Sequence, residues 1–183
     1  MKKHSVKKLQ KRAALFCQMR SVEDLARLIR TSPLKLALLA AEPIYYTFTV
    51  PKKDGSKRWI ENPSKPLKKV QRRINKYLQA ISYVTRTKAA YGFMTVAKND
   101  PDPRHILSNA QQHLNCEYLF NADIEDFFHQ VSFERVFQLF LTTPFDFSEA
   151  LATILSQLLT NKGRLPMGAP SSPAISNLVC TNK

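Results

Sequence analysis

The stretch PLKKVQRRINKYLQAI, Pro66 to Ile81, constrains the chain more than any other. Leu67, Val70, Ile74, Leu78 and Ile81 recur at helical spacing, while Lys68, Lys69, Arg72, Arg73 and Lys76 occupy the remaining faces. Such a helix must bury one side and leave a cationic remainder, so it predicts a packed spine with a basic surface. The same bias extends through the first half. Residues 1–90 hold 22 Lys and Arg against 5 Asp and Glu, whereas residues 91–183 hold 6 against 9. A basic half joined to a slightly acidic one predicts that the first half grips a polyanion. A merely solvated basic surface is the plain alternative, and a surplus confined to one half argues for nucleic acid instead.

The 183 residues suffice for one ordinary domain or a large piece of a bigger protein, and a 44% apolar fraction excludes wholesale disorder. No run approaches the roughly 18 apolar residues of a membrane span. Charges interrupt the opening MKKHSVKKLQKRAALFCQMR before a signal-peptide core could form. Cys17, Cys116 and Cys180 are odd in number, far apart and in no metal-ligand spacing, which predicts a reduced, cytoplasmic setting.

Local signals set out the elements. SVEDLARLI starts at Ser21 as N-cap, with Asp24 where a capping-box acid would sit and Val22, Leu25 and Ile29 on one face. SPLKLALLAAE has Ser32 as cap and Pro33 in the first turn. IYYTFTV reads as a strand, PKKDGSKRWI as a turn at Asp54–Gly55 and a return strand from about Lys57, so Ile44 onward predicts a β-hairpin with a basic tip. EYLFNAD predicts a buried strand ending at Asp123. SFERVFQLFL, capped by Ser132, and SEALATILSQLL predict helices, and a Gly/Pro loop leads into another near Ser172.

Asn121–Gln130, NADIEDFFHQ, packs three acids against two phenylalanines in a basic chain. A carboxylate at a strand end can meet Mg²⁺, which takes oxygen ligands from one or two carboxylates plus substrate phosphates. A lone Asp there would more simply cap a turn. The following rings could floor a sugar-sized surface, and with the basic hairpin they favour metal-assisted phosphoryl or nucleotidyl chemistry. On the hairpin, Lys52 would serve as a point charge and Arg58 as a bidentate fork for a triphosphate; an ordinary exposed turn is the plain reading of KKDG alone.

In order, VPKKDGSKRW, ADIEDFF and LPMGAPSSPAISN resemble the fingers hairpin, the first catalytic-aspartate motif and the Gly-Pro motif of reverse transcriptases. GAPSSPAISNLVC, AYGF at Ala90–Phe93 and ILSNAQQHL at Ile106–Leu114 are most similar to the bacterial retron branch, with group II intron enzymes as neighbours. The resemblance runs from about Ile44 to the last residue. It implies an α+β chain, mostly helical, holding a right-hand polymerase's fingers and partial palm: a β-hairpin, an incomplete palm sheet, and a division into an N-terminal helical extension (1–43), fingers (44–115) and partial palm (116–183).

The resemblance also implies roles. Asp123 and the Ile124 carbonyl would hold two Mg²⁺ ions, Asp126 would lie by the incoming triphosphate, and Phe128 would pack under the sugar and exclude a ribose 2′-hydroxyl. Lys52 and Arg58 would grip the triphosphate. Gly168 would let backbone approach the nucleotide, and Met167 stands where the family usually has Gln, able to pack on base and sugar but not to donate a hydrogen bond. Lys68, Lys69, Arg72, Arg73 and Lys76 are the candidate nucleic-acid contacts. Glu125 gains no role, and Phe127 is expected in the core because strand neighbours point opposite ways.

The implied partners are deoxynucleoside triphosphates and a structured RNA serving as template and primer with its cDNA, in a setting of antiphage defence. The family's Tyr-x-Asp-Asp tetrapeptide is absent from these residues. A two-ion site needs more than one carboxylate, so the expectation is an N-terminal part of an RNA-directed DNA polymerase, fragmentary or completed by a second polypeptide, that polymerises little alone. Two rivals are a non-catalytic RNA-binding module derived from the fingers, and a decayed fragment that never folds stably.

Overall fold

Leu67, Val70, Ile74, Leu78 and Ile81 are all buried along one helix, α4 (Lys65–Thr85). A computed structural model describes residues 4–181, so the first three residues of the N-terminal extension and the last two of the chain lie outside the described residues. Three helices precede α4. In α1 (Val6–Cys17) the Ser5 hydroxyl accepts the Lys8 N–H, and Leu9, Ala13 and Phe16 pack on α4. In α2 (Val22–Leu28) and α3 (Pro33–Ala41), Ser21 and Ser32 accept the N–H groups of Asp24 and Lys35, as the cap residues predict. The Asp24 carboxylate reaches past Ser21 to the Arg20 N–H at 3.0 Å, so the expected capping box closes one residue early.

The hairpin is β1 (Tyr45–Pro51) and β2 (Lys57–Pro63), antiparallel, with Tyr45 opposite Pro63 and Pro51 opposite Lys57. Its tip turns at Gly55, whose φ of 82° a side chain would disfavour, and Asp54 accepts the Ser56 N–H at 2.9 Å. Beyond α4 lie α5 (Ile106–Ala110), α6 (Phe133–Leu141), α7 (Glu149–Leu159) and α8 (Ser172–Thr181). Helices α1, α7 and α8 pack around α4, and α3 and α6 pack on α7. Phe16 meets Tyr77, Phe145 and Phe147, so one aromatic cluster joins the N-terminal helices to the second half. Gln71, fully buried, donates to the Tyr45 hydroxyl and the Leu158 carbonyl, both at 2.8 Å, and ties hairpin, spine and α7 at one point.

The predicted strand through EYLFNAD does not form. Residues 114–126 follow an irregular path, with Tyr118 86% and Phe120 90% exposed. A strand needs partners for its N–H and C=O groups. Among the described residues the only sheet is β1–β2, and this segment joins neither edge, so its β propensity has nothing to pair with. No palm strand is therefore present among the described residues, and the α+β character rests on the helices and the hairpin.

Candidate functional site

An open cleft of about 630 Å³ lies between the hairpin and the irregular segment. Lys52, Lys57, Arg58 and Trp59 form one wall, and Asp123 through Phe128 the other. Met167, from the loop before α8, completes it. Three segments remote in sequence thus meet in one cavity, with cations facing carboxylates. Lys57 and Trp59 received no role from the sequence, and Trp59, the sole tryptophan, is the larger omission. Its signal was position, since a large aromatic beside Arg58 on an exposed strand has nothing in the core to pack against.

The hairpin wall is anchored at its base by Glu61. This β2 residue is 5% exposed and receives groups from both other segments. Its Oε1 accepts Asn161 Nδ2 at 2.8 Å, and its Oε2 accepts Arg164 Nη1 at 2.9 Å and the Met167 N–H at 3.4 Å, with His129 Nε2 at 3.2 Å. Burial by itself would raise the Glu61 carboxyl, but the Arg164 hydrogen bond and charge, with Asn161, outweigh it and hold the group below the usual carboxylate range. Backbone reinforces the junction, because the Glu61 N–H donates to the Met167 carbonyl at 2.7 Å. The turn carrying Arg164 is itself docked: Leu165 donates to Val131, and Phe133 to Gly163.

Gly168 sits against this junction. Its φ is 124°, and a Cβ there would lie 2.7 Å from Ile60 Cγ2 and 3.1 Å from the Glu61 carbonyl oxygen. The glycine is therefore required by close approach to β2, a packing reason that differs from the expected approach to a nucleotide.

On the opposite wall, Asp123 and Ile124 are exposed, and Asp123 Oδ1 accepts the Ile124 N–H at 3.0 Å. Asp126 has φ 48°, a left-handed turn that aims the chain into a short 3₁₀ segment, Phe127–Gln130. Phe127 departs from expectation. Both rings are half-buried and line the cleft, but Phe128 also packs against the buried core and approaches Phe93, with ring centroids 6.2 Å apart, whereas Phe127 lies outside that core. The alternation argument fails because the segment is a turn of helix, where neighbours do not point to opposite faces.

The α4 cations divide as well. Lys69, Arg72 and Lys76 are exposed. Lys68 Nζ is held by Asn62 Oδ1 at 2.6 Å, and Arg73 Nη1 by the Ile29 and Arg30 carbonyls at 2.7 Å, where it caps the end of α2. Those two are engaged structurally.

Among the described residues no three His, Cys, Asp or Glu side chains gather as a metal site. The donors at Asp123 and Ile124 are oxygens across the cleft from Lys52, Lys57 and Arg58, which suits Mg²⁺ in kind. One carboxylate and one carbonyl are fewer than a two-ion arrangement requires.

The family model described as reverse transcriptase (RNA-dependent DNA polymerase) matches residues 50–182, so the chain belongs to the reverse transcriptase family. It is 29% identical to the retron Ec86 reverse transcriptase of Escherichia coli, covering 89% of this chain and 49% of that protein. It is 31% identical to the retron Mx162 reverse transcriptase of Myxococcus xanthus, covering 92% of this chain and 38% of the relative. The chain spans about half the length, or less, of these curated relatives.

Proposed function

We propose that this chain supplies the nucleotide-gripping part of an RNA-directed DNA polymerase. The meeting of Lys52 and Arg58, Asp123 and Asp126, and Met167 in one cleft carries this reading. A deoxynucleoside triphosphate enters with its phosphates on the Lys52 and Arg58 wall, one as a point charge and the other as a planar fork. Asp123 and the Ile124 carbonyl would hold Mg²⁺, which when bound neutralises phosphate charge. Phe128, backed by core and Phe93, forms a firm surface under the sugar. Met167 lies against base and sugar through an apolar contact. In the completed protein a primer hydroxyl attacks the α-phosphate and pyrophosphate leaves, templated by RNA. Exposed Lys69, Arg72 and Lys76 hold the nucleic acid, and the division at residues 43 and 115 belongs to the same proposal, as does a cytoplasmic setting. No helix among the described residues is long and apolar enough to cross a membrane.

Trp59 supplies the test. Titrating the purified chain with a deoxynucleoside triphosphate and Mg²⁺ should change its fluorescence saturably. Lys52→Ala with Arg58→Ala should weaken that response about tenfold or more, on the scale of lost charge-assisted bonds. An unchanged affinity in the double variant would remove the cleft from the reading. The exposed basic face of α4 also supports a second reading, a non-catalytic RNA-binding module. It separates from the first because its RNA binding and the function built on it would be indifferent to Asp123→Asn, which should abolish synthesis in the completed enzyme.

A further inference from the structure

A second cavity, of about 500 Å³, opens between α1, α4 and the segment around Phe93. Leu9, Phe93, Met94 and Val96 give it an apolar lining, and Arg12 and Lys76 bring positive charge to it. No Asp or Glu is among its lining residues. His4 also lines it, and burial together with the charges of Arg12 and Lys8 lowers the pKa of its imidazole, so the neighbourhood is one that disfavours further cations. An apolar floor, an aromatic edge and cations together suit a flat base attached to phosphate.

The surroundings extend that chemistry. Helices α1 and α4 pack together, yet between them carry ten Lys and Arg and no Asp or Glu. Self-repulsion on that scale is relieved by a polyanion. Lys65, Lys69, Arg72 and Lys76 are exposed and recur at one-face spacing, so a cationic track about 16 Å long leads away from the cavity at Lys76. On its other side Phe93 faces Phe128, which lines the first cleft.

We propose that this cavity holds one unpaired nucleotide of an RNA strand, whose neighbouring phosphates lie along the exposed face of α4. The inference rests on the reading that the chain handles RNA, and it assigns a position outside the triphosphate cleft. A strand is favoured over a free nucleotide because the track continues where a mononucleotide would end. Duplex RNA has no free base to insert, so the cavity selects single strands.

Anisotropy titrations with a labelled single-stranded RNA dodecamer and a blunt duplex of the same length test this. Arg12→Glu should weaken single-strand binding about tenfold more than duplex binding. Lys76→Glu, a change at an exposed position, should do the same if Arg12→Glu fails to fold. A dodecamer of abasic residues should lose the preference over duplex. Equal losses for both RNA forms would mean a non-specific basic surface and overturn the proposal. Tight single-strand binding that survives both variants would overturn it and leave the triphosphate cleft standing. Loss of the Trp59 response to nucleotide, with single-strand preference intact, would sink the cleft and leave the cavity.

Discussion

The two walls of the cleft are built to different standards. The hairpin wall is fastened at Glu61 by side chains and backbone from two remote segments, and Gly168 closes against it with no room for a methyl group. The facing wall begins at Asp123, at the end of an irregular stretch, residues 114–126, that leaves large apolar side chains in water, Leu119 and Phe120 among them. The hairpin carrying the proposed triphosphate contacts, Lys52 and Arg58, is thus fastened by the fold described here, while the candidate metal ligand sits on a strand-like sequence without a sheet. Preorganisation favours binding on the first wall, whereas chemistry on the second requires further contacts.

Breaking the fastened wall should have the largest effect. Glu61→Ala would leave Arg164, Asn161 and the Met167 N–H without their acceptor, and should cost about 3 kcal/mol in urea unfolding, with Glu61→Gln costing less. Gly168→Ala follows at roughly 2 kcal/mol, because strain at φ 124° adds to a clash with Ile60. It should also disturb the Trp59 response to nucleotide if the junction places that wall.

Acid should act next. Glu61 and Asp100, the latter paired with Arg86 Nη2 at 3.0 Å, both have folded pKa values below their unfolded ones; burial opposes this in each, and Arg164 and Arg86 respectively override it. The unfolded state then binds more protons, so their stabilisation is complete above about pH 5 and is lost as pH falls through the folded values. Urea midpoints measured from pH 6 to pH 3 should fall, and Glu61→Gln should flatten part of that slope.

The smallest effect should come from the loose wall. Asp123→Asn should change stability by no more than about 0.5 kcal/mol, since its contact is with its own neighbour's amide. Amides of residues 117–124 should exchange with solvent orders of magnitude faster than the Glu61 amide. Comparable protection in both would erase the distinction between the walls.

Much of the helical frame was legible because its signals are local. Ser21, Ser32 and Ser132 mark helix starts by the bond each hydroxyl makes within one turn, and the α4 stripe declares its buried side. The hairpin was legible from Asp54–Gly55. The strand before Asp123 misled because a strand is completed by residues elsewhere, and propensity is silent about their presence. Glu61 was invisible for a related reason: nothing near it in sequence shows that Asn161 and Arg164 will surround it. Phe127 falls outside the core expected for it because the backbone turns at Asp126. The residues brought together in the cleft were named by motif, while the junction that holds them in place was found only in three dimensions.

The bond from Glu61 to Met167 spans 106 residues of sequence. On a ribosome adding about 5–20 residues each second, the hairpin emerges roughly 5–20 s before the segment that seals its base. For that interval β2 offers an unpaired edge next to a carboxylate with no counter-charge from Arg164. A carboxylate on a bare edge disfavours pairing with another strand, and Glu61 stands at the place on β2 where Met167 finally docks.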